Sequence, residues 1–449
     1  MRKPLLLLML SLSMLATAAK KPKTVVVDKP LRAPAVPLLT SDPYFSVWSA
    51  SDQLNETATT HWTGKVQSLI GALRVDGKTY RFMGMEEPKY ETILPADRWD
   101  AKFTEKKPTN DWVNPNFNDA DWNNGRGSFG NNDAPGRASD WTSTDIWIRR
   151  SFDLKSDVAA ESLFLFYSHD DIFELYVNGI KVVETGYTWR NNVYLELDAK
   201  IKAALKPGKN VIAAHCHNRT GGAFVDFGLM KRVDLETGFA YKAVQKSVKV
   251  NATQTLYSFV CGAVQLDLTF TAPLLLNNLD LVSTPINYVT YKVASLDKKQ
   301  HDVQIYFEAT PQLAVDVDRQ PVKFDKLTKN GFTYIKTGTV DQPVLDRKGD
   351  DLRIDWGYLY FGGKLSATEY LALGDYFDAK KSFVTTGKLP ADVNPKSLPT
   401  NMKEKMTVLA YSNSLGTVAK EPVSGFMMIG YDDVYAIEYM YEQLMAYWK

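Results

Sequence analysis

The chain has 449 residues, of which 45% are hydrophobic and 23% charged, a composition that fits a globular protein of about two to four domains. The formal net charge of +1 gives no electrostatic basis for binding nucleic acid or an anionic membrane surface. Beyond the N-terminal segment, no run is apolar for long enough to predict a membrane span.

The N-terminus has the pattern of a secretory signal peptide. Arg2 and Lys3 precede an apolar run that ends in the small residues "ATAA". A charged start, an apolar stretch too short to cross a bilayer and an A-x-A site together indicate export. We therefore predict a signal peptide over 1–19, a linker over 20–36, and a periplasmic or extracellular location. No Cys follows the cleavage region, so a lipoprotein is not predicted.

Residues 37–87 are predicted to form the first part of a β-sandwich. Their clearest element is a hairpin, in which "ALRV" and "KTYRFMG" flank the dipeptide Asp76-Gly77. In a two-residue hairpin turn both turn residues take a positive φ, and Asp-Gly is a dipeptide that accepts this conformation. The dipeptide therefore predicts such a turn.

Residues 88–238 interrupt this pattern and are predicted to form an inserted all-β domain. The block opens with a segment rich in Asn, Asp, Gly and Trp, and later contains strands around the hairpin dipeptide Asn178-Gly179. The stretch "DADWNNG" (119–125) resembles a calcium loop, although its Gly is one place late and no Glu closes it. A structural calcium ion in this block is a hypothesis, and no other cofactor is predicted.

Residues 239–430 alternate between apolar and polar side chains, with turn residues between the runs, and are predicted to complete the sandwich. The last segment, 431–449, is predicted to be the start of an α-helical domain. Its apolar residues recur at spacings of three and four, which places them on one helix face, namely Val434, Ile437, Tyr441, Leu444 and Trp448. The predicted fold is therefore an all-β sandwich, interrupted by a second β domain and followed by a helix.

Several kinds of catalytic site find no support in the sequence. A G-x-S-x-G nucleophile turn, a glycine-rich phosphate loop and a dinucleotide fingerprint are all missing from the pattern. Cys216 and Cys261 lie in strand-like runs and are predicted to be buried thiols. His215 and His217 share one face of a strand and could chelate a metal ion, but no third ligand is adjacent, so a structural pair is favoured and no metal site is predicted.

The remaining candidates are acidic and aromatic residues in loops at the ends of the predicted strands. Such groups bind polar substrates through hydrogen bonds and stacking, although the same residues also suit an interface between domains. The candidate substrate-binding residues are Asp42, Tyr44, Trp48, His61, Trp62, Asp355, Asp432 and Asp433. No catalytic residue is predicted.

Several long stretches resemble the glutaminase A family of secreted proteins. They include "LLTSDPYFSVWS", "HWTGKVQSLIGALRVDGKTYRFMG" and "WGYLYF", and "GYDDVYAIEYMYEQLMAYWK" resembles the junction at which that family passes from a β-sandwich into an α-helical toroid. The block 88–238 departs from the family and is similar to galactose-binding-like jelly rolls, through "NFNDADWNNGRGSFG" and "LKPGKNVI". The resemblance implies a truncated chain that lacks the helical domain.

Three functions remain open. The resemblance implies the N-terminal portion of a glutaminase that converts L-glutamine to glutamate and ammonia, inactive alone because most catalytic groups would lie in the helical domain. The alternatives are a glycosidase-like protein that processes carbohydrate, which would need a pair of carboxylates, and a non-catalytic fragment that binds glycans or acts as a scaffold. The expected partners are a small-molecule substrate or a glycan, and the helical domain.

Overall fold

The computed structural model describes residues 33–96, 98–131, 137–158, 160–233, 238–349, 351–398, 402 and 406–448. The predicted signal peptide, 1–19, lies outside these residues. The first strands of the described chain form a small sheet and a hairpin: β1 Val36–Thr40, β2 Ser46–Ser49, β3 Thr60–His61, β4 Leu69–Val75 and β5 Lys78–Met83. Asp76 and Gly77 join β4 to β5 with φ of 48° and 82°, as the sequence predicts.

The next strands alternate between two sheets, each of six strands. In chain order they are β6 Lys89–Leu94, β7 Trp99–Thr104, β8 Asn123–Gly127, β9 Phe129–Gly130, β10 Ser139–Asp140, β11 Asp145–Leu154, β12 Leu163–Asp170, β13 Ile172–Val177, β14 Ile180–Glu184, β15 Arg190–Glu196, helix α1 Ala199–Ala204, β16 Gly208–His217 and β17 Phe224–Val233. One sheet has the order β10-β9-β17-β12-β15, with β6 also paired to β17, and the other has the order β14-β13-β16-β11-β7-β8. A separate apolar core between them contains Leu165 and Phe227 from the first sheet and Ile148 and Ala214 from the second.

The rest of the chain builds two larger layers. Its elements are β18 Tyr241–Lys242, β19 Val244–Val250, β20 Gln254–Cys261, β21 Val264–Thr271, helix α2 Leu279–Ser283, β22 Ile286–Ser295, β23 His301–Ala309, a 3-10 turn Pro311–Ala314, β24 Val322–Lys329, β25 Phe332–Thr339, β26 Tyr358–Gly363, β27 Glu369–Asp375, helix α3 Tyr376–Thr386, a 3-10 turn Pro395–Ser397, β28 Thr407–Val418, β29 Val423–Asp432, β30 Ile437–Tyr439 and β31 Glu442–Leu444. The sheet orders are β18-β5-β4-β23-β28-β27 and β19-β20-β21-β22-β29-β26-β25-β24.

These two sheets pack face to face as a sandwich around the largest apolar core. The alternation seen in the sequence sets which residues face it: in β20 the buried side chains include Tyr257, Phe259 and Cys261, and their neighbours face outward. Helix α3 covers the face of the β18-β5-β4-β23-β28-β27 sheet that is turned away from this core. There Tyr376 and Phe383 pack in a second cluster. The predicted all-β fold is confirmed. The helices in the described part of the chain are too short or too polar to cross a membrane.

The predicted terminal helix is wrong. Residues 437–444 form a β-hairpin, in which Ile437 pairs with Leu444 and Tyr439 with Glu442. Met440 and Tyr441 make its turn with φ of 49° and 69°, a conformation that no right-handed helix contains. The segment is rich in aromatic residues, which have a high strand propensity. Its composition therefore suits a hairpin as well as a helix.

Candidate functional site

The loop between β1 and β2 is ordered by one of the predicted site residues, Asp42. Its Oδ1 accepts hydrogen bonds from the backbone N–H groups of Tyr44 at 2.7 Å and Phe45 at 2.9 Å. Burial raises the pKa of the Asp42 carboxyl, and these two hydrogen bonds act against that rise. Asp42 therefore shapes the loop and sets the position of the half-exposed Tyr44 ring.

His61 and Trp62 lie beside the same loop. The Trp62 indole N–H donates to the Pro43 carbonyl at 2.7 Å, and the His61 Nε2 lies 3.1 Å from the same oxygen. The other imidazole nitrogen, Nδ1, lies 3.0 Å from the Thr63 hydroxyl. Burial lowers the pKa of His61 to about 4, so the ring is neutral near pH 7. With both nitrogens bonded, His61 positions its neighbours.

Asp355 and Trp356 approach this loop from the segment before β26. Asp355 is buried and accepts a hydrogen bond from the Gln320 amide at 2.7 Å, and burial raises the pKa of its carboxyl. The Trp356 ring lies 6.0 Å from the Tyr44 ring, and its carbonyl accepts from the Tyr431 hydroxyl at 2.7 Å. These contacts connect the first loop to the end of β29.

Asp432 and Asp433 complete the group at the end of β29. Burial raises the pKa of the Tyr431 hydroxyl well above its usual range, and the nearby charges of four aspartates raise it further. These aspartates are Asp355, Asp42, Asp433 and Asp432. The structure thus brings seven of the eight predicted residues to one end of the sandwich, and we call them the loop-end cluster: Asp42, Tyr44, His61, Trp62, Asp355, Asp432 and Asp433. The eighth, Trp48, donates its indole N–H to Ser46 in its own strand.

A large cleft adjoins the loop-end cluster. It has a volume of about 1240 Å³, and its lining residues come both from the β6–β17 region and from the sandwich. Lys65 from the sandwich lies 3.1 Å from the Asp318 carboxylate, which also accepts from the Asn192 amide of the β6–β17 region at 2.7 Å. Asp318 therefore bonds across the cleft and fixes one wall against the other.

Glu87 supplies a second carboxyl to the cleft. Its backbone N–H donates to the Tyr376 hydroxyl at 2.7 Å, and its Oε1 accepts from the Gln312 amide at 3.4 Å. Burial raises the pKa of the Glu87 carboxyl, and the negative charge of Asp318 raises it further. Glu87 and Asp318 are thus two carboxyl groups of the cleft that have different surroundings.

Arg353 joins the cleft to the loop-end cluster. Its side chain lines the cleft, forms an ion pair with Asp316 at 2.7 Å and donates to the Thr63 hydroxyl at 3.1 Å. Thr63 in turn contacts His61, so a continuous hydrogen-bonded path runs from the cleft to the Pro43 carbonyl.

The other motifs of the sequence have structural partners. His215 and His217 both contact Asp145 Oδ1, at 2.8 Å and 3.0 Å. In the 119–125 stretch, Asp119 forms an ion pair with the buried Arg149 at 2.8 Å. Within the described ranges, no three or more His, Cys, Asp and Glu side chains are arranged to hold a metal ion, so the calcium hypothesis gains no support. Cys216 and Cys261 are buried free thiols, and burial raises the pKa of both.

Two family models match parts of the chain. Residues 253–449 match a family described as "Domain of unknown function (DUF5127)", and residues 9–95 match one described as "Domain of unknown function (DUF4964)". The two matched segments lie on either side of most of the β6–β17 region.

Among curated proteins, the chain is similar to glutaminase A of Aspergillus oryzae. The two are 25% identical over 199 residues, which are 43% of this chain and 28% of that protein. Among solved structures, it is similar to a β-glucuronidase of Bacteroides uniformis, at 14% identity over 50% of this chain and 32% of that one, with a TM-score of 0.28. A β-glucuronidase of Ruminococcus gnavus shares 10% identity over 56% of this chain and 46% of that one, with a TM-score of 0.26.

Sequence reasoning missed three residues of the cleft: Glu87, Asp318 and Arg353. Each lies in a loop without periodic structure, and Glu87 is more than two hundred positions from the other two in the chain. The one local signal is the "EEP" at 86–88, where a charged pair lies shortly after a strand and precedes a proline. Their convergence depends on the packing of the β6–β17 region against the sandwich.

Proposed function

We propose that this chain is part of an exported hydrolase of the glutaminase A kind, which converts L-glutamine and water to L-glutamate and ammonia. The alignment with glutaminase A carries the proposal, because it extends over 199 residues. The loop-end cluster supports it, since a small polar substrate needs hydrogen-bonding carboxylates beside aromatic rings.

In this proposal the loop-end cluster contacts the substrate and does not cleave it. His61 is neutral and bonded at both nitrogens, so it is not available as a general base. Asp355 is held by Gln320 and lies within 3.7 Å of Arg347, which positions it beneath the surface. Tyr44 and Trp62 are the exposed aromatic members and would form the substrate-facing surface.

The catalytic groups are proposed to come from an α-helical region outside this chain. The alignment covers 28% of the glutaminase A relative, so most of that protein has no counterpart in it. In this proposal, amide hydrolysis requires groups of the sandwich and of the helical region to be held in a fixed relative position. A displacement of about 1 Å can reduce the rate on the order of 100-fold. The chain alone would then bind substrate poorly and turn it over negligibly.

The proposal is tested by measuring ammonia release from L-glutamine. We expect none above background from purified 20–449, and turnover from a protein in which 20–449 is joined to an α-helical region of the glutaminase A kind. Turnover by 20–449 alone would place the active site within this chain. It would refute the proposal that the catalytic groups come from a helical region outside it. If the joined protein is folded and still inactive on L-glutamine, the glutaminase proposal is wrong.

The loop-end cluster is tested in the joined protein by Trp62→Ala. Trp62 is 54% exposed, so its removal leaves the core intact. Loss of one aromatic contact with the substrate should raise KM about tenfold with little change in kcat. Tyr370→Ala is the matched control, since Tyr370 is 55% exposed on β27 and is not part of the cluster. Equal KM values for the two variants would remove Trp62 from the substrate site.

A further inference from the structure

The cleft between the β6–β17 region and the sandwich is too large for a single amino acid. Its volume of about 1240 Å³ exceeds the range of about 300–1,000 Å³ that small-molecule sites occupy. Its walls are fixed to each other through Asp318, which bonds Asn192 on one side and Lys65 on the other. A preformed cleft of this size suits an extended ligand, which would lose little affinity to reorganisation of the protein.

Aromatic rings line the wall that the β6–β17 region contributes. Trp189 is 56% exposed and lines the cleft, although its large apolar ring would ordinarily be buried. Tyr194 lines the same wall, and its ring stacks on that of Tyr90 at 4.6 Å with an angle of 15°. The wall therefore presents an exposed indole ring and a stacked pair of tyrosine rings, and an aromatic face of this kind suits a ligand with a flat C–H face.

Polar groups of the cleft retain hydrogen-bonding capacity. Asn191 Oδ1 accepts from Ser168, which directs the two amide N–H donors of Asn191 elsewhere. Glu87 Oε1 accepts a long bond of 3.4 Å from Gln312, and a carboxylate can accept about four. Asp318 Oδ1 is buried with no hydrogen-bond partner among the described residues. These donors and acceptors therefore line the same cleft as the aromatic rings.

The charge of the cleft favours a neutral ligand. Five basic and five acidic side chains line it, and several are already matched, as in the pair Arg353–Asp351 at 2.5 Å. The cations do not outnumber the anions, as they would in a site for nucleic acid or another polyanion. A peptide would be expected to add to an exposed strand edge or to fill an apolar groove, whereas this lining mixes charged, polar, aromatic and aliphatic side chains.

We propose that the cleft binds a neutral oligosaccharide chain, with Trp189 stacked on one sugar ring and Glu87, Asn191 and Gln312 bonding its hydroxyl groups. A sugar ring presents C–H groups on its face and hydroxyls around its rim, which matches an aromatic surface edged by amides and carboxylates. This site is separate from the loop-end cluster and independent of glutamine hydrolysis. It would hold the protein on a polysaccharide while the chemistry takes place elsewhere.

The test is a titration of purified 20–449 with cellohexaose, xylohexaose, maltohexaose and chitohexaose, followed by tryptophan fluorescence and calorimetry. We expect saturable binding of at least one of these chains. Trp189→Ala should weaken that binding about tenfold, and Trp189→Phe should restore most of it. Tyr187→Ala is the control, because Tyr187 is 58% exposed two positions away and does not line the cleft.

Three results would overturn the proposal. One is the absence of binding to all four oligosaccharides by protein with a cooperative thermal transition. Another is binding that Trp189→Ala and Tyr187→Ala weaken equally, which would place the ligand elsewhere. The last is a preference for polygalacturonate over every neutral chain, which would assign the cleft to an acidic polysaccharide. Ammonia release from L-glutamine is measured separately, so failure of either proposal leaves the other open to its own test.

Discussion

His61, a member of the loop-end cluster, is an uncharged link in a chain of hydrogen bonds that connects the cluster to the cleft. Arg353 donates to the Thr63 hydroxyl, which can donate to His61 Nδ1, and His61 Nε2–H can donate to the Pro43 carbonyl. Each group then has one consistent donor or acceptor role, provided that the imidazole stays neutral. A proton added at Nδ1 would place two donors against each other and beside the Arg353 charge, which itself lowers the pKa of His61.

This arrangement predicts a loss of stability in mild acid. The pKa of His61 falls from 6.5 in the unfolded chain to about 4 in the folded one, so its contribution is complete above pH 6.5 and is lost as the pH falls through 4. His61→Gln should be less stable than wild type near pH 7 but should lose less stability on acidification. The measurement is urea unfolding at about pH 7 and about pH 5.

A second histidine, His169, titrates in the same pH range and is present in both wild type and His61→Gln. Burial lowers its pKa to about 4 as well, so both proteins lose its contribution over the same pH range. The difference between wild type and His61→Gln therefore isolates His61. Parallel loss of stability in the two proteins would show that His61 titrates normally and that the hydrogen-bonded path does not depend on its neutrality.

At the scale of elements, the residues in the turn of the C-terminal hairpin disfavour the backbone conformation that they adopt. Its two turn residues, Met440 and Tyr441, both have positive φ, which in a non-glycine residue costs roughly 1–2 kcal/mol. Asn-Gly is the dipeptide that such a turn prefers. The hairpin also exposes most of its apolar side chains, among them Ile437 and Tyr439. It should therefore be the least protected pair of strands in the sandwich region.

The double substitution Met440→Asn and Tyr441→Gly should stabilise this hairpin by about 1–2 kcal/mol, because it relieves the strained turn. Amide hydrogen exchange over 437–444 would then slow by about tenfold or more. In a helix the same change would be destabilising, since glycine costs about 1 kcal/mol there. Faster exchange in the double variant would support the helix and contradict the hairpin. Met445→Asn, outside the turn, is the control.

The other elements show what local sequence can predict. Alternating runs predicted the strands of the sandwich. Asp76-Gly77 predicted a turn in the sandwich and Asn178-Gly179 one in the β6–β17 region, because these signals lie within a few residues. Helix α3 was missed although its ends were readable: Asp375 caps its start, and Gly387 ends it with φ of 74°. The terminal segment was mispredicted because one apolar spacing suited two structures.

The site was less predictable than the fold. Eight residues that flank predicted strands were candidates for one site, and the structure places seven of them, all except Trp48, at one end of the sandwich. Glu87 and Asp318 were not expected, because their proximity depends on how two sheets from different parts of the chain pack. No pattern within either loop encodes that contact.

At the scale of the whole molecule, the β6–β17 region closes on itself. Its first strand pairs with its last, with Lys89 opposite Val233, so the chain enters and leaves at neighbouring points. Just outside this pair, the Glu86 carboxylate accepts from the Phe239 backbone N–H at 3.2 Å. Such an arrangement allows a whole domain to sit in one loop of the sandwich at a small cost in loop-closure entropy. We propose residues 88–238 as that domain.

We predict that residues 88–238 fold alone, because their two sheets enclose a core that is separate from that of the sandwich. The isolated segment should be rich in β-structure and melt in one cooperative transition, measured by circular dichroism and calorimetry. Trp99→Ala should cost about 3–5 kcal/mol, since the ring is buried against Phe227 at 4.5 Å and its N–H donates to Asp226. Trp189→Ala, at an exposed position, should leave the transition unchanged. A segment that stays unfolded at several boundaries would show that the sandwich is required to form it.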